Sequence, residues 1–245
     1  METISSTFNK FLKYKKKDVK KTTYNKYDDI LFLFKSFLNG YAYNYLDEDD
    51  LDLFETKFNQ ENKEFCEIFG IDKIDVGEIE EFMGYFLIRK VLGGKESIKY
   101  SGTVLRQLLK WLKNNSYIGK SKFDELIDIV DRLKDELTKV LEVTDILYEE
   151  TTGSSMKYGI FPFDKSGSNN LAQYETTRES VFYIKDIKKG KLWLGDLSAP
   201  SETIGPVIVP DEVSSLANEG WQLHLAIGKK GNKWDILESG DVYPG

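Results

Sequence analysis

One histidine (His224), one cysteine (Cys66) and four arginines (Arg89, Arg106, Arg132, Arg178) among 245 residues leave little room for acid–base, thiol or metal chemistry. His224 and Cys66 lie in different halves of the chain, and a zinc site of the usual kind needs more nitrogen and sulfur ligands. Asp47–Asp50 and Asp52 form a carboxylate cluster, but they lack the turn glycine and spacing of a calcium loop. A solvated acidic helix start is the expected role. No Ser or Cys nucleophile has a histidine base nearby in sequence, and Gly93-Gly94-Lys95 lacks the preceding glycine of a phosphate loop. The expectation is no catalytic residue, no metal and no cofactor. Cys66, beside Phe65, Ile68 and Phe69, reads as a buried thiol. A lone cysteine excludes an intrachain disulfide and suits a reducing cytoplasm.

Lysine chemistry is abundant by contrast, and it is sorted into blocks. Net charge is +5 over residues 1–45, −11 over 46–88, +8 over 89–122, −7 over 123–150 and −2 over 151–245. A net negative chain usually argues against polyanionic partners, but binding responds to the local field. Two basic blocks around an acidic one therefore predict a polarised domain. The run Lys10–Lys26 reads either as a mobile arm on phosphates or as a solvated segment.

The elements that must position these groups divide at the prolines, all five of which follow residue 160. Before that point apolar residues recur at helical spacing; after it they fall in short alternating runs between glycine-rich turns. The chain is expected to be α+β in two domains: a helical domain over 1–150, a linker over 151–172 and a small barrel over 173–245. Thr22–Leu38 predicts a helix with Thr22 or Thr23 at its cap. Further helices are expected over about 50–69, from Asp75 with Glu78 completing a capping box until Gly93-Gly94, and from Ser97 to about Asn114. Phe123, Leu126, Val130, Leu133, Leu137, Val140, Thr144 and Leu147 form a heptad seam on a longer helix. This seam packs along its own domain or pairs two copies through residues 123–148, with Thr144 its weak point.

In the second half, Val181–Ile187 and Lys191–Leu197 flank Lys188-Lys189-Gly190, and Trp221–Ile227 and Lys233–Glu238 flank a second glycine turn. A short strand, Val207–Val209, and a helical turn, Asp211–Asn218, lie between. Two hairpins, a linking strand and one helical turn fit a barrel of the OB or Tudor kind. Most of Trp193, Trp221 and Trp234 should fill its interior. One exposed tryptophan beside Lys191 or Lys233 would offer a platform for base stacking. The candidate ligand surface is Lys189, Lys191, Trp193, Lys230, Lys233 and Trp234, for nucleic acid or a protein partner.

Thr22-Thr-Tyr-Asn-Lys-Tyr27 with Ile30–Leu38, Glu78–Arg89 and Ser97–Leu112 together resemble the helices of the core-binding, SAM-like domain of tyrosine recombinases (phage integrases). The likeness spans roughly 20–118. It implies a helical bundle that clamps duplex DNA with helix starts and basic side chains against phosphates. Carried over, those residues are Lys20, Lys21, Thr22, Thr23, Tyr24 and Lys26 on the first helix, and Lys95, Ser97, Lys99, Tyr100, Arg106 and Lys110 on the last. They lie in the two basic blocks. Residues 46–77 form an acidic insertion that must face away from DNA, and the recombinase catalytic set is missing, since Leu-Ala-Ile follows His224.

The sequence thus predicts a non-catalytic DNA-binding protein of the cytoplasm with an accessory barrel. The alternative is a protein-interaction adaptor with no nucleic-acid role. No apolar run approaches the length of a membrane span, and Met1–Phe8 has no signal pattern.

Overall fold

The computed structural model describes residues 2–90, 95–152 and 173–245, the side chains of 90, 95–97 and 200 excepted. The fold is mixed: among the described residues eight α-helices precede five strands, with one further short α-helix among the strands. The chain divides into two compact units, one of residues 1–87 and 96–134, the other of 88–95 and 135–245.

In the first unit, α1 (Ile4–Asp18) and α2 (Lys21–Tyr41) pack through aromatic side chains. Ile4, Phe8, Phe11 and Lys15 follow helical spacing along α1 and all are buried. The basic N-terminal run is therefore a folded helix up to Asp18 rather than a mobile arm, with Lys10, Lys13, Lys16 and Lys17 on its exposed side and Lys15 buried. The Phe34 and Phe82 rings lie 4.7 Å apart, with Phe37 and Phe86 beside them. Such pairs contribute roughly 0.5–1.5 kcal/mol each beyond the area they bury.

The acidic stretch is helix too, split where the chain turns. α3 (Glu48–Glu61) starts at Asp47, whose side chain accepts from the Asp50 amide at 3.0 Å. Glu48, Asp49 and Asp50 in its first turn complement the helix dipole. Asn62 ends it in the left-handed conformation, so the expected continuous helix over 50–69 is interrupted before the single turn of α4 (Phe65–Ile68). α5 (Val76–Glu81) opens with the expected capping box between Asp75 and Glu78. It continues through one π turn into α6 (Leu87–Lys90). The glycine stop at 93–94 lies outside the described residues.

α7 (Lys95–Asn114) and α8 (Lys120–Thr152) follow. Their crossing is close at Gly102, where an added Cβ would stand 2.6 Å from the Lys134 Cβ. Lys122 and Arg132 fix the start of α8 to Asp75 (2.7 Å) and Glu80 (2.6 Å). Along the heptad seam Leu126, Val130, Leu133, Leu137, Val140 and Leu147 are each at most 2 % exposed. These side chains are covered within one copy of the chain, while Phe123 at the start of the seam is half-buried. Thr144 is accommodated by donating its hydroxyl to the Val140 carbonyl at 2.8 Å, a bond that hides its polarity inside the helix.

The second unit contains the sheet. β1 (Thr176–Lys188), β2 (Lys191–Asp196), β3 (Ala199–Ile208), β4 (Gln222–Lys230) and β5 (Lys233–Tyr243) close in the order β1-β2-β3-β5-β4. All neighbours are antiparallel except β3 and β5, which meet in parallel at Val207 and Trp234. Gly190 and Gly231, both in the left-handed region, make the β1–β2 and β4–β5 turns, where other residues would be strained. Phe182, Ile184, Leu192, Leu194, Leu223, Leu225 and Ile227 alternate into the interior, as the two-residue period of a strand requires. The short α9 (Asp211–Leu216) adds Val213.

Val140, Val143 and Leu147 of α8 belong to this same core. The compact units divide within α8, between Lys134 and Asp135, rather than at the expected 150. Thr151 and Thr152 are its last turn, and 153–172 lie outside the described residues.

Candidate functional site

The first group of candidate residues converges between α2 and α7. Lys20 precedes α2 in extended conformation, and no side chain caps the helix. Thr22 and Thr23 are therefore first-turn residues rather than caps, exposed along with Lys20 and Lys21. Free amides at a helix start favour an anion. One turn on, the Lys26 ammonium sits 3.3 Å from the centroid of the Tyr100 ring on α7. That cation–π contact links the N-terminal parts of α2 and α7, which come from the two basic blocks of the sequence.

Lys15 reinforces the junction from below. Its side chain is buried, its ammonium lies 5.1 Å from the Tyr27 ring centre, and it donates to Gln107 Oε1 at 3.4 Å. Burial, with a smaller contribution from Asp18, raises the Tyr27 hydroxyl above its ordinary pKa. Tyr24 is half-buried. Trp111 is half-buried as well, edge-on to Phe11 at 5.6 Å and stacked on Tyr117 at 5.4 Å, a packing role.

On α7, Lys99, Thr103, Arg106 and Lys110 recur at intervals of four, three and four, which makes one helical stripe. Lys99, Thr103 and Lys110 are exposed. Arg106 is not a free cation, for it pairs with Asp131 of α8. Among the described residues, Lys20, Lys21, Lys99 and Lys110 have no carboxylate within ion-pair distance. Lys95 and Ser97 lie in the first turn of α7, but their side chains fall outside the described residues.

The barrel candidates separate. Trp221 (1 % exposed) and Trp234 (8 %) are interior, so Trp234 is corrected from ligand surface to core. Alternation along β2 turns Leu192 and Leu194 inward and Trp193 outward. Lys188, one turn back on β1, places its ammonium 4.9 Å from the Trp193 ring centre.

Val207 of β3 pairs with Leu192 on one side and Trp234 on the other, so these second residues of β2 and β5 are two strand spacings apart, on the order of 10 Å. Lys191 and Lys233 are exposed there. Lys189 pairs with Asp211 at 3.2 Å and Lys233 with Asp235 at 3.1 Å, while Lys230 donates to Gln173 at 3.3 Å.

Sequence reasoning missed Tyr183 and Lys185 on the same outer face. Tyr183 stands opposite Gly195, and a Cβ on that glycine would collide with its ring. The Lys185 ammonium is 5.5 Å from the Tyr183 ring centre and donates to the Glu202 carbonyl at 2.8 Å. The glycine opposite the tyrosine was the available signal, but it depends on strand register.

Elsewhere, burial pushes the Cys66 thiol well above its ordinary pKa. His224 is exposed, 3.7 Å from Glu179 and resting on Gly240. Among the described residues no helix is long and apolar enough to cross a membrane, and no three His, Cys, Asp or Glu side chains cluster to hold a metal. No known protein family, curated protein or solved structure matches the chain.

Proposed function

We propose that this chain is a non-catalytic, cytoplasmic DNA-binding protein whose α2–α7 face holds duplex phosphates. The observation that carries the reading is the Lys26–Tyr100 contact. It joins two lysine blocks far apart in sequence into one surface with Lys20, Lys21, Lys99 and Lys110 exposed around it. The uncapped start of α2 adds free amides to the same surface. The resemblance to the recombinase core-binding domain agrees with this placement, and the acidic α3 lies outside the basic stretches. The strand order β1-β2-β3-β5-β4, with α9 between β3 and β4, supports an OB-like rather than a Tudor-like reading of the accessory barrel.

The test is fluorescence anisotropy of labelled duplex DNA across a salt series, for the wild type and for K20E/K21E/K99E. Wild-type affinity should fall steeply with salt, with log K decreasing by about 0.9 per phosphate neutralised for each tenfold rise. The triple variant should bind at least tenfold more weakly with unchanged circular dichroism. Duplex binding that is absent at low salt, or indifferent to the three charges, removes the reading.

The adaptor alternative has one observation in its favour. Phe32, 69 % exposed on α2, lines an open cleft with Lys35, Ser36, Asn39 and Glu64.

A further inference from the structure

We infer that the outer face of β1 and β2 is a stacking platform for single-stranded nucleic acid, separate from the residues assigned to duplex DNA. Two aromatic side chains, Tyr183 and Trp193, lie on this face, and each is laid over a neighbouring strand by a glycine. Gly195 on β2 receives the Tyr183 ring, and Gly205 on β3 receives Trp193, whose Cδ1 would be 2.7 Å from an added Cβ. Side chains at those two positions would lift or tilt the rings. Glycine instead leaves room for both rings across the sheet, where lysine ammonium groups lie over them (Lys185 over Tyr183, Lys188 over Trp193) and both aromatic residues stay partly exposed. Tyr183 stands opposite Gly195, which is two residues from Trp193 along β2. That offset of about 7 Å gives two separate seats for successive bases rather than one.

The charges around the rings choose the occupant. Lys188 holds its ammonium 4.9 Å above Trp193, and Lys191 is exposed at the start of the same strand with no carboxylate within 4 Å among the described residues. Lys188 does have Asp186 at 3.9 Å, with both side chains more than half exposed. Such a pair holds the lysine only weakly, so a phosphate can take it over. An aromatic pair rimmed by lysines fits a polyanion that presents flat bases, since stacking holds the base and lysine the phosphate. Duplex DNA hides its base faces, and a proline-rich peptide would leave the lysines unmatched.

The full-length protein is titrated with oligothymidylate while tryptophan emission is followed, with heparin as a polyanion without bases. Oligothymidylate should quench the emission saturably. W193A and K188E/K191E should each weaken that binding by about five- to a hundredfold while leaving duplex affinity unchanged. W193F, which keeps a π face, should retain most of the affinity, and this rescue separates stacking from misfolding. Oligothymidylate binding that is absent, equal in W193A, or no stronger than heparin binding overturns the platform. Duplex binding lost in K20E/K21E/K99E beside intact W193A-sensitive oligothymidylate binding means both sites stand. Wild-type chain that binds oligothymidylate but no duplex sinks the α2–α7 reading alone.

Discussion

Single residues acquire their roles here through what lies opposite them. Trp193 and Trp234 both follow a lysine-tipped turn and look alike in sequence, yet one is outward and the other only 8 % exposed. Strand phase decides between them. Asp196 shows the same dependence in a polar setting. It is buried at the β2–β3 turn, where its carboxylate accepts from the Ser198 hydroxyl (2.7 Å), the Ser198 amide (2.8 Å) and the Ser180 hydroxyl (2.9 Å). These bonds, the Ser198 hydroxyl foremost, hold its pKa below the ordinary carboxylate value. A depressed folded-state pKa means stability present at neutral pH and lost as pH falls through the ordinary carboxylate range toward the depressed value. Asp196→Asn should therefore lower the melting temperature at pH 7, and the gap to the wild type should narrow on acidification. A gap independent of pH would show that the carboxylate's charge is not what stabilises the turn.

Among the elements, the capping box at Asp75 and the helices around 97–114 and 123–148 are legible from spacing alone, because periodicity and caps are local. α1 is not legible in this way. Its inward positions include Lys15, whose ammonium lies 5.7, 5.4 and 5.1 Å from the Phe11, Tyr14 and Tyr27 ring centres, so a charge sits where an apolar residue is expected. The α7–α8 crossing is equally hidden, since Gly102 looks like a helix-weakening glycine until Lys134 is found against it. Gly102→Val should destabilise the protein by about 1–3 kcal/mol in urea denaturation. A loss below about 0.5 kcal/mol would mean the helices separate at little cost.

Across the whole molecule, the barrel does not end where its strands begin. Val140, Val143 and Leu147 fill part of its core from α8, so a fragment of 173–245 exposes apolar surface that one of 135–245 covers. The longer fragment should unfold cooperatively on heating, whereas the shorter should aggregate or show only a broad transition. Equal cooperativity in the two would show that the barrel does not need the helix. The net charge of −7 is also a poor guide at this scale, because Lys26 of α2 meets Tyr100 of α7 while the carboxylates of 46–88 lie on other elements.

Sequence alone determined the mixed class, the helical first half, the two lysine-tipped hairpins and the sorting of charge, all of which follow from composition and short-range periodicity. Spacing also showed that residues 123–147 carry a continuous apolar seam, but not what would cover it. Only the tertiary structure decided that the seam is filled within the chain, that α8 is divided between two cores, and that Lys26 meets Tyr100. It alone set Tyr183 and Trp193 over glycines on neighbouring strands. These are contacts between residues distant in sequence, fixed by strand register and helix crossing, and no local pattern encodes which distant residue will occupy the space.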